Sequence, residues 1–204
     1  MATPARDTRR EDRRDAILDV AQECFLAEGY GATSMSTIAA QLGGSKGTLY
    51  NYFRSKEELF DAFVRRSCAR LAASLFEIPE DGELRERLVI MARRFLTFLL
   101  TPDAMAVHRL VVGEGERFPE LGPVFYNAGP RIVLTRMAEI FGDLMDAGAL
   151  RRGDPAVAAH QFKDLAVSGV YQLRMWGVIE VPSPAEIDAR AETAADTFLR
   201  AYAP

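Results

Sequence analysis

Apolar residues recur at helical spacing almost from end to end of this chain, and runs with the two-residue alternation of a half-buried strand are nearly absent. A chain patterned this way folds as packed helices. From about Arg9 to Glu28, Ile17, Ala21, Cys24 and Phe25 fall at i, i+4, i+7 and i+8, with arginines and carboxylates opposite. Gly29 stands where a helix stop is expected. Two short helices are expected at about 35–42 and 46–52, with Gly43 and Gly44 between them. Ser55-x-x-Glu58 is a capping box that opens a longer helix carrying Leu59, Phe60, Phe63, Val64, Leu71 and Leu75 and stopping near Pro79. Further helices are expected over about 83–100, 103–116, 119–128, 130–147, 155–176 and 185–202. Pro102, Pro119, Pro130, Pro155 and Pro184 stand at or near their starts, where a missing N–H costs little. Gly148, Gly153 and Gly177 mark ends.

Composition excludes several classes. At 204 residues the chain can bury more than two-thirds of its unfolded surface without disulfide or metal staples. Cys24 and Cys68 stand alone, which argues against a secreted disulfide scaffold and a four-ligand zinc site. His108 and His160 are the only histidines, so neither a metal nor a cofactor is expected. No apolar run approaches the ~20 residues of a membrane span, and the polar N-terminus lacks an apolar signal core, so a cytoplasmic protein is expected.

Net charge is −4, which by itself discourages nucleic-acid binding, but its distribution does not. Between Gly29 and Lys56 there are three cations, Lys46, Arg54 and Lys56, and no Asp or Glu. Residues 57–204 hold 17 cations and 22 acids. The acid-free window contains TSMSTIAAQLGGSKGTLYNYF at 33–53, two short helices joined by a glycine-containing turn. Ile38, Ala39 and Leu42 supply the buried side of the first, and Leu49 and Phe53 that of the second. Ser45, Lys46, Thr48, Tyr50 and Asn51 are left to face outward, with groups that reach phosphates and base edges in a major groove ~12 Å wide. Gly47 keeps the start of the second helix slim.

Residues 10–60 resemble the N-terminal DNA-binding domain of the TetR family of bacterial transcription regulators. The resemblance is carried by T-S-M-S-T-I-A, by L-G-G-S-K-G-T-L-Y-N-Y-F, and by R-S-K-E-E-L-F at 54–60. Gly44 departs from it, since the family usually has Val there. The resemblance implies an all-α chain: a three-helix helix-turn-helix domain over 9–56, preceded by a disordered tail at 1–8, and a helical ligand-binding and dimerisation domain over 57–204. It implies a homodimer on a palindromic double-stranded operator, released by a small-molecule effector. Carried over by position, Thr33 and Lys56 are phosphate contacts assisted by Tyr50 and Tyr52. Lys46, Thr48 and Asn51 are base contacts, with Ser45 at the helix start. RLVVGEGERFPELGPVFYNAGP at 109–130 resembles the ligand domain of AefR-type regulators.

No catalytic constellation is found. Gly43-x-Ser45-x-Gly47 matches a nucleophile-elbow pattern, but a helix precedes it where that motif needs a strand. An apolar effector site is expected from Met91, Phe95, Phe98, Met105, His108, Tyr126, Arg131, Phe162 and Trp176, with Glu114 among further polar candidates. Small-residue stripes on the last two long helices nominate Phe162, Ala166, Gly169, Val170, Leu173, Ala194, Ala195, Phe198 and Tyr202 for the dimer interface the family places there.

Overall fold

The computed structural model describes residues 4–75, 77 and 82–204. The stop expected at Pro79 lies outside the described residues, as do the side chains of Leu71 and Leu75. The elements are α1(Pro4–Glu28), α2(Met35–Gln41), α3(Lys46–Tyr50), α4(Lys56–Leu75), α5(Leu84–Leu99), α6(Pro102–Glu114), α7(Leu121–Ala128), α8(Pro130–Asp146), α9(Pro155–Val167), α10(Tyr171–Met175) and α11(Pro184–Tyr202), with no strand among the described residues. The chain packs as two compact units, Met1–Ser67 with Ala106–Ala128, and Cys68–Met105 with Gly129–Pro204. The first unit therefore takes in α7 and most of α6, which the linear reading grouped with everything after residue 57.

Two elements differ from the sequence expectation. Helix α1 begins at Pro4, inside the stretch expected to be a tail. Proline is well placed in a first turn, and no Gly or Pro interrupts residues 5–28. The helix expected over 155–176 is broken into α9 and α10. Gly169 sits at φ +74°, a left-handed backbone that ends the α-helical ladder, and Arg174 N–H bonding to Val170 C=O at 2.9 Å restarts it.

In the second unit the core is built from α5, α8, α9 and α11. Phe141, Phe162 and Phe198 are fully buried with ring centroids 4.9–5.5 Å apart, and Tyr202 stacks on Phe198 at 4.4 Å. Ala191, Ala194 and Ala195 let α11 approach its neighbours closely. Side chains cap two of these helices: Asp154 accepts from Ala156 and Val157 N–H at the start of α9, and Ser183 and Glu186 form a full capping box on α11. Arg151 closes the end of α11, donating to Ala201 C=O at 2.6 Å and lying over the Tyr202 ring.

This packing corrects most of the expected dimer set. Phe162, Ala166, Ala194, Ala195, Phe198 and Tyr202 are all at most 5% exposed within the single chain and belong to its own core. They have no surface left to bury against a partner. Val170 is likewise buried, in a smaller cluster with Leu96, Leu100 and Ile187. The small-residue stripe serves helix approach inside the protomer. Of the set, only Gly169, which is exposed, and Leu173, which is half-buried, retain accessible surface.

Candidate nucleic-acid interface

Ser34 opens α2 by accepting from Thr37 N–H, and Met35, Ile38 and Ala39 are buried beneath it. Gly43 takes φ +62° in the turn, and Gly44 N–H bonds back to Ala39 C=O at 3.2 Å. Ser45 then caps α3, its Oγ accepting from Thr48 N–H at 3.1 Å and lying 2.9 Å from Thr48 Oγ1. Leu49 and Phe53 are both 1% exposed and hold this helix down. The structure thereby brings Ser45, Lys46, Thr48, Tyr50 and Asn51 together as exposed residues on one short segment, with Tyr52 half-buried at its end. The segment carries no carboxylate.

Thr33 and Lys56 do not join that face. Thr33 is 1% exposed, and its hydroxyl donates to Gly29 C=O at 2.7 Å, with Cys24 C=O at 3.1 Å. It fastens the end of α1 and is closed to a phosphate. Lys56 turns inward. Its ammonium donates to Tyr30 C=O at 2.7 Å and Thr33 C=O at 3.1 Å, and lies 4.1 Å from the Tyr30 ring centroid. Both residue types suit phosphate contact, but two carbonyls left over from the α1–α2 turn need donors, and that local demand wins.

The same turn is gripped from its N–H side by a residue 84 positions away. Glu114, the last residue of α6, accepts from Tyr30 N–H at 2.5 Å and Gly31 N–H at 2.7 Å, one carboxylate oxygen to each. Gly29 and Gly31 leave the room for this. A Cβ on Gly29 would stand 2.5 Å from Glu114 Oε1, and one on Gly31 would stand 3.0 Å from both Glu114 and Phe118. Phe118 packs edge-on against Tyr30. The Tyr30 hydroxyl donates to Glu57 at 3.3 Å, and burial together with that carboxylate pushes the phenol pKa up. The Glu57 carboxyl is held below the usual range by its hydrogen bond from Ser55, then by its backbone bond. Glu114 was expected among effector-site groups. The sequence offered one local signal of its true place, the Gly29-Tyr30-Gly31 triplet, and nothing that named the partner.

The expected effector residues are divided between the units. Met91, Phe95 and Phe162 lie inside the second unit's core, Phe98 packs against it, and Met105 is buried. Arg131 is exposed, and Trp176 is 66% exposed. In the first unit His108 stacks on Phe125 at 5.7 Å, burial holding its pKa below the ordinary value, and Tyr126 is 46% exposed. A groove of about 370 Å³ in the second unit is lined by Val170, Leu173, Ile179, Pro182, Ala189 and Arg190, none of them from the expected effector set. Among the described residues, no group of His, Cys, Asp and Glu is placed to hold a metal ion, and no single helix is long and apolar enough to cross a membrane.

Comparison with known proteins places this geometry. Residues 17–63 match the family described as bacterial regulatory proteins, tetR family, and residues 86–204 match the AefR-like transcriptional repressor C-terminal domain. The HTH-type transcriptional regulator YhgD of Bacillus subtilis is 46% identical over 165 residues, covering 78% of this chain and 83% of that one. Among solved structures, the flavonoid-responsive regulator FrrA is similar at TM-score 0.84 and 33% identity, over 95% of this chain and 98% of its own. A TetR-family transcriptional regulator from Mesorhizobium loti matches over 100% of both chains at TM-score 0.83 and 28% identity. With a helix-turn-helix whose second helix is exposed and acid-free, followed by a helical body, the chain belongs to the TetR family of bacterial transcription regulators, which bind DNA and act as dimers.

Proposed function

We propose that this regulator is a ligand-responsive repressor: a homodimer that sets two copies of α3 into successive major grooves of a pseudo-palindromic operator and leaves it when a small apolar or amphipathic molecule binds. The observation that carries the reading is the exposed, carboxylate-free segment Ser45–Asn51 on a capped short helix. Lys46, Thr48 and Asn51 are the base readers, and Ser45, Tyr50 and Tyr52 flank them. The similarity to a flavonoid-responsive regulator over 95% of the chain supports an aromatic effector. No catalytic role is assigned, and the protein acts in the cytoplasm, where its operator is.

Trp176, Val178 and Val181 are 66%, 64% and 55% exposed, and Val181 lines the groove with Leu173; this exposed apolar stretch is what a second copy would cover. The test is a gel shift on DNA flanking the protein's own gene, with and without a flavonoid panel, beside sedimentation of the free protein. A shifted complex at dimer stoichiometry, released by a panel member, is expected. Absence of any shift on flanking and library-selected DNA would overturn the reading. A shift that nothing in the panel releases, with no panel member raising the melting temperature, favours a regulator without that effector class.

A further inference from the structure

Arg13 belongs to the stripe Arg13, Ile17, Ala21 on α1, of which Ile17 and Ala21 are buried. Its place at the outer end of that stripe brings its guanidinium against the α2–α3 turn. Nη2 stands 3.3 Å from where a Cβ on Gly44 would be, and Arg13 shares a small cleft with Ser45 and Thr48. Gly44 is not in the left-handed region, so its backbone does not require glycine. What a side chain there would meet is Arg13.

Two neighbouring arginines are engaged elsewhere. Arg66 pairs with Asp19 at 2.8 Å, and Arg14 lies over the Phe53 ring at 5.1 Å. Arg13 makes no hydrogen bond or ion pair with any described residue. It is half-buried, and a half-buried guanidinium without an anion gives up hydration for nothing in return. The surrounding window from Gly29 to Lys56 offers no acid, and Lys56 has spent its charge on the α1–α2 turn. A guanidinium is suited to grip a phosphate with two parallel N–H donors.

We propose that Arg13, admitted to the reading face by the missing side chain at Gly44, is a DNA-phosphate contact of this protein. It anchors the backbone beside the bases read by α3 and carries no sequence preference of its own. This rests on the DNA-binding reading above, and the test separates the two. A duplex is first selected from a random library with the wild-type protein; failure to select any would count against DNA reading itself. Arg13→Ala is then expected to bind the selected duplex and a scrambled one about tenfold more weakly at 0.1 M salt, at an unchanged melting temperature. The log–log salt dependence should flatten by about one unit per head. Arg13→Lys should restore most of the salt slope. Gly44→Val should displace the guanidinium and weaken binding toward the Arg13→Ala level, and the double variant should bind no more weakly than Arg13→Ala alone. Wild-type affinity and slope in Arg13→Ala would overturn the proposal, as would a lowered melting temperature with an unchanged slope, the signature of a structural role. Loss in Arg13→Ala without loss in Gly44→Val would overturn the part played by Gly44.

Discussion

At the α1–α2 turn of the first unit the side chains that fix the backbone are polar and reach across the sequence. Glu114 holds two N–H groups, Lys56 two carbonyls and Thr33 a helix end, all on the single turn that leads into the reading element. The core of the second unit is held by stacked rings and alanines, and polar contacts such as Arg151 to Ala201 C=O and Arg85–Asp196 sit at its surface. The contrast follows from task. A reading head must hold one backbone path to a fraction of an ångström, and hydrogen bonds are directional. A body needs burial, which is not.

The largest effect that would expose the difference is expected at Phe198. Its ring contacts three others and is 0% exposed, so Phe198→Ala leaves a cavity no neighbour can fill and should cost about 3–5 kcal/mol. Trp176, the chain's single tryptophan, lies in the second unit, so its fluorescence in a urea titration reports that unit. The Trp176 transition should move to much lower urea. Movement by less than the equivalent of about 1 kcal/mol would mean that the aromatic cluster is not what holds this unit.

Next comes the clamp on the turn. Glu114→Ala removes the acceptor of two N–H groups at once and should cost about 2 kcal/mol, with Glu114→Gln recovering part of it. Local opening is the sharper readout. Hydrogen exchange at the amides of Tyr30 and Gly31 should speed up in Glu114→Ala and Lys56→Met while amides in α11 stay protected. Unchanged exchange at Tyr30 and Gly31 would show that the turn holds itself, and the contrast between the units would fail. DNA binding should weaken with the opening, through a mispositioned head and not through a lost phosphate. Lys56→Met should therefore leave the salt slope where it was.

This separates what was legible in the sequence from what was not. Ser45 and Ser55 act within three residues of themselves, so these helix starts were legible, and with them the outward set Ser45, Lys46, Thr48, Tyr50 and Asn51. Periodicity likewise placed the helices themselves, α5, α8 and α11 among them. Thr33, Lys56 and Glu114 were misplaced because their partners are backbone atoms, and backbone demand leaves no residue-type signature at a distance. The alanines of α11 were misplaced for another reason. A small residue announces close approach but does not say whether the approaching helix belongs to the same chain.

A smaller effect is expected from acid. Burial holds the His108 imidazole below its ordinary pKa, so the folded chain binds that proton more weakly than the unfolded chain does. The stability contributed by neutral His108 is complete above the unfolded value of about 6.5 and is lost as pH falls through the lower folded value. His108→Phe keeps a ring to stack on Phe125 and removes the titration. The drop in melting temperature between pH 7 and pH 5 should be smaller in that variant than in the wild type. An equal drop would assign the acid sensitivity to other groups.

The smallest effect is expected where the geometry looks strongest. Arg85 donates to both carboxylate oxygens of Asp196, at 2.6 and 3.1 Å, joining α5 to α11 across a long stretch of sequence. The bonds are as short as those of Glu114 or Lys56. The partners differ: a second side chain, with both groups some 40% exposed, in place of backbone groups at a turn whose Tyr30 and Thr33 are 1% exposed. Water replaces either member of the surface pair at little loss, and salt screens what remains. Arg85 does hold the Asp196 carboxyl below the usual range. Whatever the pair contributes is thus present above the unfolded carboxyl value of about 3.9 and disappears as pH falls through the lower folded one. Arg85→Ala should melt with the wild type at pH 7 and 0.15 M salt. Destabilisation as large as that of Glu114→Ala would show that reach across the sequence, and not the backbone identity of the partner, is what makes a polar contact matter in this fold.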